Sequence, residues 1–484
     1  MGAVVIVTIT RLITLFRTGV NQVSFQEHLD LTQAFILNPG LDALRQFVIT
    51  GAMHDSAEHY PPGKCHPGTR EKIIKTIMDW INDSNVSEDV LWLHGSAGAG
   101  KSAIMQTIAE LLQDQFLDQY GATFFFAKDI VGRNTADNLF ATLAYQIAMN
   151  MPGMRTIIND TMEGDKTLPK KSLDIQLKSL IVDTVAHASH LPHPPTIIID
   201  GLDECHDYQV QRKILSLIGE AITISRVPLR FLIASRPELW IRESFDQQPL
   251  LSVTTQLSLS DSADADLDIG KYLQEGFDEI YAANRDIMAG VALPWPSDMV
   301  IKDLVERASG QFIYAETVLK FVGGSSDFNN PDEQLKIISS PCPLQGSPSS
   351  DLDQLYTTIL SRYPRRDNLL SVLGALLVWH DTDYVDITCC ITLIVEPSEM
   401  EMVLHSIASL IVVQDVKFDL GDEDLNKLYS TTVRRCTFSH LSLCEYLEDS
   451  NRSGPFFIDA QDLRDNLCGM FFDTIHNSLV KPHP

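Results

Sequence analysis

The apolar positions change their spacing twice along the chain. From residue 20 to about 60 they recur loosely every three or four positions, a helical pattern. Proline and glycine in YPPGKCHPGTR, over 60–70, interrupt it. Ile73, Ile74, Ile77 and Ile81 then share one face of a predicted helix over 70–83, with Thr69 as its candidate cap. From residue 90, short continuous apolar runs alternate with helical stretches. VLWLHG (90–95), GATFFFAK (121–128), TIIIDG (196–201), RFLIASR (230–236) and VTTQLSL (253–259) read as strands. Helices read over 101–119, about 135–150, 170–189 and 208–224. Strands apolar on both faces, separated by helices, predict an α/β domain whose parallel five-stranded sheet is covered on both sides.

After residue 260 the strand signal fades. DSADADLDIGKYLQEGF opens an acidic helix, and 297–322 reads as two helices broken near Gly310. Residues 323–350 are rich in Gly, Ser, Asn and Pro and read as a linker. LDQLYTTILSRY (352–363) begins a second, mostly helical unit that runs to about 450. Within it VVQDVKFDL (412–420) and CTFSHLS (436–442) suit the short strands of a winged helix. The expected organisation is an N-terminal helical segment (1–64), an α/β domain (65–260), a helical domain with linker (261–345), a winged-helix-like domain (350–455) and a tail (456–484).

A chain of 484 residues with 44% hydrophobic and 21% charged residues is ordinary for a globular protein of about three domains. Charge alters the picture more. The chain carries 37 basic and 64 acidic residues, a net −27, which argues against nucleic acid as a partner. Residues 1–260 hold only −7 of this and residues 261–484 hold −20, so the two halves are expected to do different work. The eight cysteines are scattered without a C-x-x-C, which suits a reduced, cytoplasmic setting. No apolar stretch is long enough for a membrane span. The first 19 residues are apolar and basic; they read as a plain strand or helix, with mitochondrial or membrane-proximal targeting as the alternative.

Gly95, Ser96, Ala97, Gly98, Ala99, Gly100, Lys101 and Ser102 spell G-x-x-x-x-G-K-[ST] between a predicted strand and a predicted helix. Glycines let backbone N–H groups turn inward around phosphate oxygens. Lys101 would reach the β- and γ-phosphates and Ser102 would hold Mg²⁺. IIIDGLDE (197–204) delivers Asp200 at a strand end as a second Mg²⁺ residue. Asp203 and Glu204 follow as candidates to position or activate a water. FLIASRP (231–237) ends on Arg236, placed to sense a γ-phosphate. These elements imply bound ATP or ADP, with GTP open, and a triphosphatase reaction. No N-K-x-D guanine code is present, since Asn426-Lys427 continues into Leu428-Tyr429.

The order GSAGAGKS, IIIDGLDE, FLIASRPE resembles the NACHT division of the STAND P-loop ATPases, in the style of those abundant in fungi, over about residues 65–260. The extra acid pair in DG-x-DE is the most particular part of the match. Downstream, ASGQFIYAETVLKF is similar to the family's helical domain. FSHLSLCEYLED (438–449) is similar to the end of its winged helix, where a histidine touches the β-phosphate of ADP. That resemblance assigns His440 as an ADP latch; read from the residues alone, it is a histidine in an apolar core. The segment around Gly68, Thr69 and Arg70 would lie near the base. The resemblance implies a signalling switch that opens and self-associates on exchanging ADP for ATP, with roles in self/non-self recognition or cell death. Related NACHT proteins and an effector protein would be its partners. Such proteins usually continue into repeat domains, and none is visible here. The competing expectation is a non-hydrolysing scaffold or decoy that co-assembles with full-length relatives.

Overall fold

The structure, a computed structural model, describes residues 38–57, 63–83, 87–128, 130–187, 193–259, 264–324, 330–339, 350–379, 391, 394–417, 432–459 and 463. The apolar N-terminal 19 residues and the Asn426-Lys427 pair lie outside them. So does most of the helical stretch expected before residue 38 and most of the tail.

The chain divides into two compact units. One combines residues up to Ile49 with Asp137–Leu191. Its described helices are Pro39–Arg45, Leu139–Asn150, Pro152–Gly164, Leu173–Leu177 and Asp183–Ala186, the last two joined through a π-turn at Lys178–Val182. Asn159 joins the two segments of this unit, its Oδ1 accepting from the Gly40 N–H at 3.1 Å. The helix Pro152–Gly164 was not predicted. Its buried apolar anchors are Met154, Ile158 and Met162, four residues apart, among polar neighbours.

The second unit holds Thr50–Ala136 and everything from Pro192 onward. Its first helix, α1 (Glu71–Asn82), buries Ile77, Trp80 and Ile81. Thr69 does not cap it. The cap position is Arg70, in a left-handed conformation (φ 58°), and the Thr69 hydroxyl donates to the His66 carbonyl at 2.7 Å. The turn closes on itself because the Arg70 side chain is drawn inward, as described below. Strand β1 (Val90–His94) leads into α2 (Lys101–Gln115), and β2 (Tyr120–Phe125), β3 (Thr196–Asp200), β4 (Arg230–Ser235) and β5 (Thr254–Ser258) complete the sheet. All four strand pairings are parallel, in the order β2-β3-β4-β1-β5. The five predicted strands are thus the five observed ones. Alternate residues serve the two faces: Leu91, Leu93, Ile198 and Leu232 meet α1 and α2, while Trp92 stacks on Phe245 from the helix Leu239–Phe245. Both faces are covered, which explains the uninterrupted apolar runs.

Beyond β5 the chain is helical: α3 (Asp264–Ala283), α4 (Asp298–Ala308) and α5 (Phe312–Val322). Ser309 (φ 48°) and Gly310 (φ 78°) both turn left-handed and separate α4 from α5, as the break near Gly310 predicted. A helix at Pro331–Ser339 occupies part of the expected linker, because Leu335 and Ile338 find apolar cover. Then follow α6 (Asp351–Leu360), capped by Ser350, and the helices Arg366–Trp379 and Pro397–Ser406. An antiparallel hairpin, β6 (Ile411–Lys417) with β7 (Thr432–Phe438), leads to α7 (Leu441–Leu447). One apolar core runs through all of this, from Ile269 to Ile458.

Candidate functional site

The loop after β1 is shaped by Gly98 (φ 71°) and Gly100 (φ 89°), conformations that side chains resist. A Cβ added at Gly100 would meet nothing within 4 Å, so it is the positive φ that favours glycine there. Lys101, the first residue of α2, donates through Nζ to the carbonyls of Gly95 and Ser96, each at 2.9 Å. Burial lowers its pKa, against the attraction of Asp203 and Asp200.

Asp200 is the last residue of β3 and is buried. The Ser102 hydroxyl bonds to it, yet its Oδ1 has no hydrogen-bond partner. Burial pushes its pKa up to about 6. A buried carboxylate oxygen without a partner is costly. Beside a P-loop hydroxyl it is a donor set that fits Mg²⁺, which takes one or two protein oxygens and fills its shell from phosphates and water. Among the described residues no cluster of three or more His, Cys, Asp or Glu side chains makes a self-contained metal cage.

Gly201 (φ 67°) then bends the chain into a short turn, Leu202–Glu204. Glu204 accepts from the Lys128 N–H at 3.2 Å. Burial, with Asp203 and Asp200 nearby, pushes its pKa up to about 8. Asp203 accepts from the Arg236 backbone N–H at 2.9 Å and faces its Nε at 3.3 Å. The strand order explains this meeting. β4 lies between β1 and β3, so the residue just past β4 stands between the phosphate loop and the acids.

Two further contacts arrive from the helical half. The Ile313 N–H approaches the Gly98 carbonyl at 3.4 Å, setting the start of α5 on the phosphate loop. His440 caps α7: its Nδ1 accepts from the Ser442 N–H at 3.1 Å and lies 2.7 Å from the Ser442 Oγ. A neutral ring accepting at Nδ1 carries its proton on Nε2. The ring is close to the loop, its Cε1 3.9 Å from where a Gly98 Cβ would stand. Burial, then the Arg236 and Lys101 charges, push its pKa down to about 4. On the same helix, Glu445 Oε1 accepts from Arg236 Nη1 at 2.6 Å. Burial disfavours the Arg236 charge, but Glu445 and Asp203 more than offset it and its pKa moves up.

Every predicted site residue therefore falls in one place, from Gly95–Ser102 through Asp200, Asp203, Glu204 and Arg236 to His440. Arg70 adjoins it: its Nη2 donates to the Ala99 carbonyl at 2.8 Å, its guanidinium lies 4.7 Å from the Phe312 ring, and its buried Nε and Nη1 have no partner. Three contributors were missed in the sequence. The Lys128 N–H and the Arg133 charge, which acts on Asp200, come from the loop after β2. The C-terminal edge of a parallel sheet was the signal available for that loop. Glu445 carried no signal at all.

The family profile "Nephrocystin 3, N-terminal" matches residues 68–236, well under half of the chain but spanning every strand-end residue from the phosphate loop to Arg236. No curated protein matches the chain. Among solved structures, the Walker-type ATPase paby2304 of Pyrococcus abyssi is similar at 13% identity and a TM-score of 0.33, covering 77% of this chain and 93% of its own. The Cdc6p of Pyrobaculum aerophilum is similar at 11% identity and a TM-score of 0.36, covering 87% and 98%. The ORC2 protein of Aeropyrum pernix, in ADPNP and ADP complexes, is similar at 12% identity and a TM-score of 0.34, covering 87% and 99%. With its own strand order, phosphate loop and strand-end acids, the chain has the fold of a P-loop NTPase.

Proposed function

We propose that the chain is a nucleotide-dependent signalling switch of the NACHT type. It binds ADP or ATP with Mg²⁺ and hydrolyses the triphosphate slowly. The observation that carries this reading is the convergence of Arg236, just past β4, and His440, at the start of α7, on one phosphate loop. Residues 65–260 would form the nucleotide domain, 261–345 a helical layer over it, and 350–455 a lid.

In this reading the loop N–H groups and Lys101 hold the β-phosphate, and Ser102 with Asp200 hold Mg²⁺. The cation supplies charge neutralisation between the β- and γ-phosphates. Glu204, in the turn after β3, would take a proton from an attacking water once a nearby bound cation offsets the burial that raises its pKa. His440 donates from Nε2 to a diphosphate and keeps the lid shut. Exchange for ATP opens the lid and exposes surfaces for self-association or for related proteins.

Phosphate release by the purified protein tests the enzymatic part. Lys101→Ala should abolish nucleotide binding, and Glu204→Gln should retain it while slowing turnover by about 10²-fold or more. Tight binding with no turnover in the unaltered protein would replace the switch with a nucleotide-stabilised scaffold. His440→Ala should weaken ADP binding and promote self-association, and unchanged ADP affinity would retire the latch.

A further inference from the structure

We propose that Glu445 sets the preference of the closed form for a diphosphate over a triphosphate, by occupying Arg236. The inference rests on the nucleotide-switch reading above.

Arg236 stands between the phosphate loop and the acids at the end of β3. Several of its donors are already directed at carboxylates. Its backbone N–H and Nε face Asp203, and Nη1 donates to Glu445 at 2.6 Å. Two carboxylates beside one guanidinium share its positive charge, so less of it is left for a third anion. A γ-phosphoryl group brings more negative charge to the same neighbourhood. It gains more of the Arg236 charge when one carboxylate is displaced. Asp203 is fixed in the turn after β3 by its bond to the Arg236 backbone, whereas Glu445 sits on α7, a helix that reaches the site from a separate part of the sequence.

A diphosphate makes no such demand. It fills the loop and meets His440, five residues before Glu445 on the same side of the lid. The two residues therefore divide the work. His440 adds affinity for the β-phosphate, and Glu445 withholds Arg236 from the γ-phosphate. Both side chains of the Arg236–Glu445 pair are partly shielded, at 21% and 27% exposure, so salt screens the contact only in part. Glu445 touches no substrate in this arrangement; it is a positioning residue acting through Arg236.

Glu445→Gln keeps the size and the acceptor and removes the charge. Titration calorimetry with ADP and with a non-hydrolysable ATP analogue, each with Mg²⁺, reads the result on the full chain. The ratio of ATP-analogue to ADP affinity should rise about tenfold, a typical coupling between linked contacts, with ADP affinity little changed. Glu445→Asp, which restores the charge on a shorter arm, should recover part of the original ratio. A parallel loss of both affinities, or an unchanged ratio with a lowered melting temperature, would make Glu445 a purely structural contact and overturn the proposal. Absence of any nucleotide binding in the unaltered chain would instead defeat the switch reading itself.

Discussion

At the scale of single residues, the most informative group is His440. Its ordinary pKa of 6.5 falls to about 4 in the folded chain, through burial and then the charges of Arg236 and Lys101. A depressed histidine pKa favours folding only while the ring is neutral. The contribution is present above the unfolded value and is lost as pH falls through the folded one. The unaltered protein should therefore lose thermal stability as pH drops from about 6.5 to about 4, more than His440→Asn does. Asparagine keeps a cap acceptor for the Ser442 N–H and removes the titration. Parallel melting curves would refute the assignment. Lys101, Ser102 and Asp200 were legible in the sequence because local backbone chemistry dictates their spacing. Glu445 was not, because its partner is 209 positions away and no short pattern encodes so distant an ion pair.

At the scale of elements, strands were easier to read than helix ends. The strands β1 to β4 are buried, so they print themselves as apolar runs, while β5, at the sheet edge, is only partly covered. The cap of α1 was misassigned because Arg70, not Thr69, is held by tertiary contacts: its N–H donates to Asp268 at 2.9 Å and its side chain to Ala99. The hairpin strand β7 begins four residues before the predicted 436, since polar Arg434 and Arg435 mask an edge position. The join between the phosphate loop and α5 depends on a missing side chain. A Cβ at Gly98 would lie 2.2 Å from the Ile313 Cγ2, in a backbone conformation with φ 71°. Gly98→Ala should destabilise the protein by about 1–3 kcal/mol, through backbone strain and displacement of Ile313. A melting temperature within error of the unaltered chain would show that α5 is not seated on the loop.

For the whole molecule, the charge asymmetry is the property the sequence gives most directly and the fold then explains. The phosphate loop, Lys101 and Arg236 lie in the half that carries −7, and the lid helices lie in the half that carries −20. A hairpin beside helices invites comparison with DNA-binding winged helices. Net charge predicts otherwise for this chain. At about 0.15 M salt it should not shift a duplex in a gel. A salt-sensitive shift under those conditions would overturn that expectation. Among the described residues no helix is long and apolar enough to cross a membrane.

The placement of His440 as the cap of the seven-residue helix that carries Glu445 has a kinetic consequence. A helix this short moves as one piece, so the histidine and the carboxylate leave the site together. In the switch proposed here, ADP escapes only when that piece swings away. The slowest step of each cycle is then departure of the product rather than cleavage of the bond. A burst of phosphate followed by a slower steady release would be its signature, and its amplitude would count the molecules that start free of ADP.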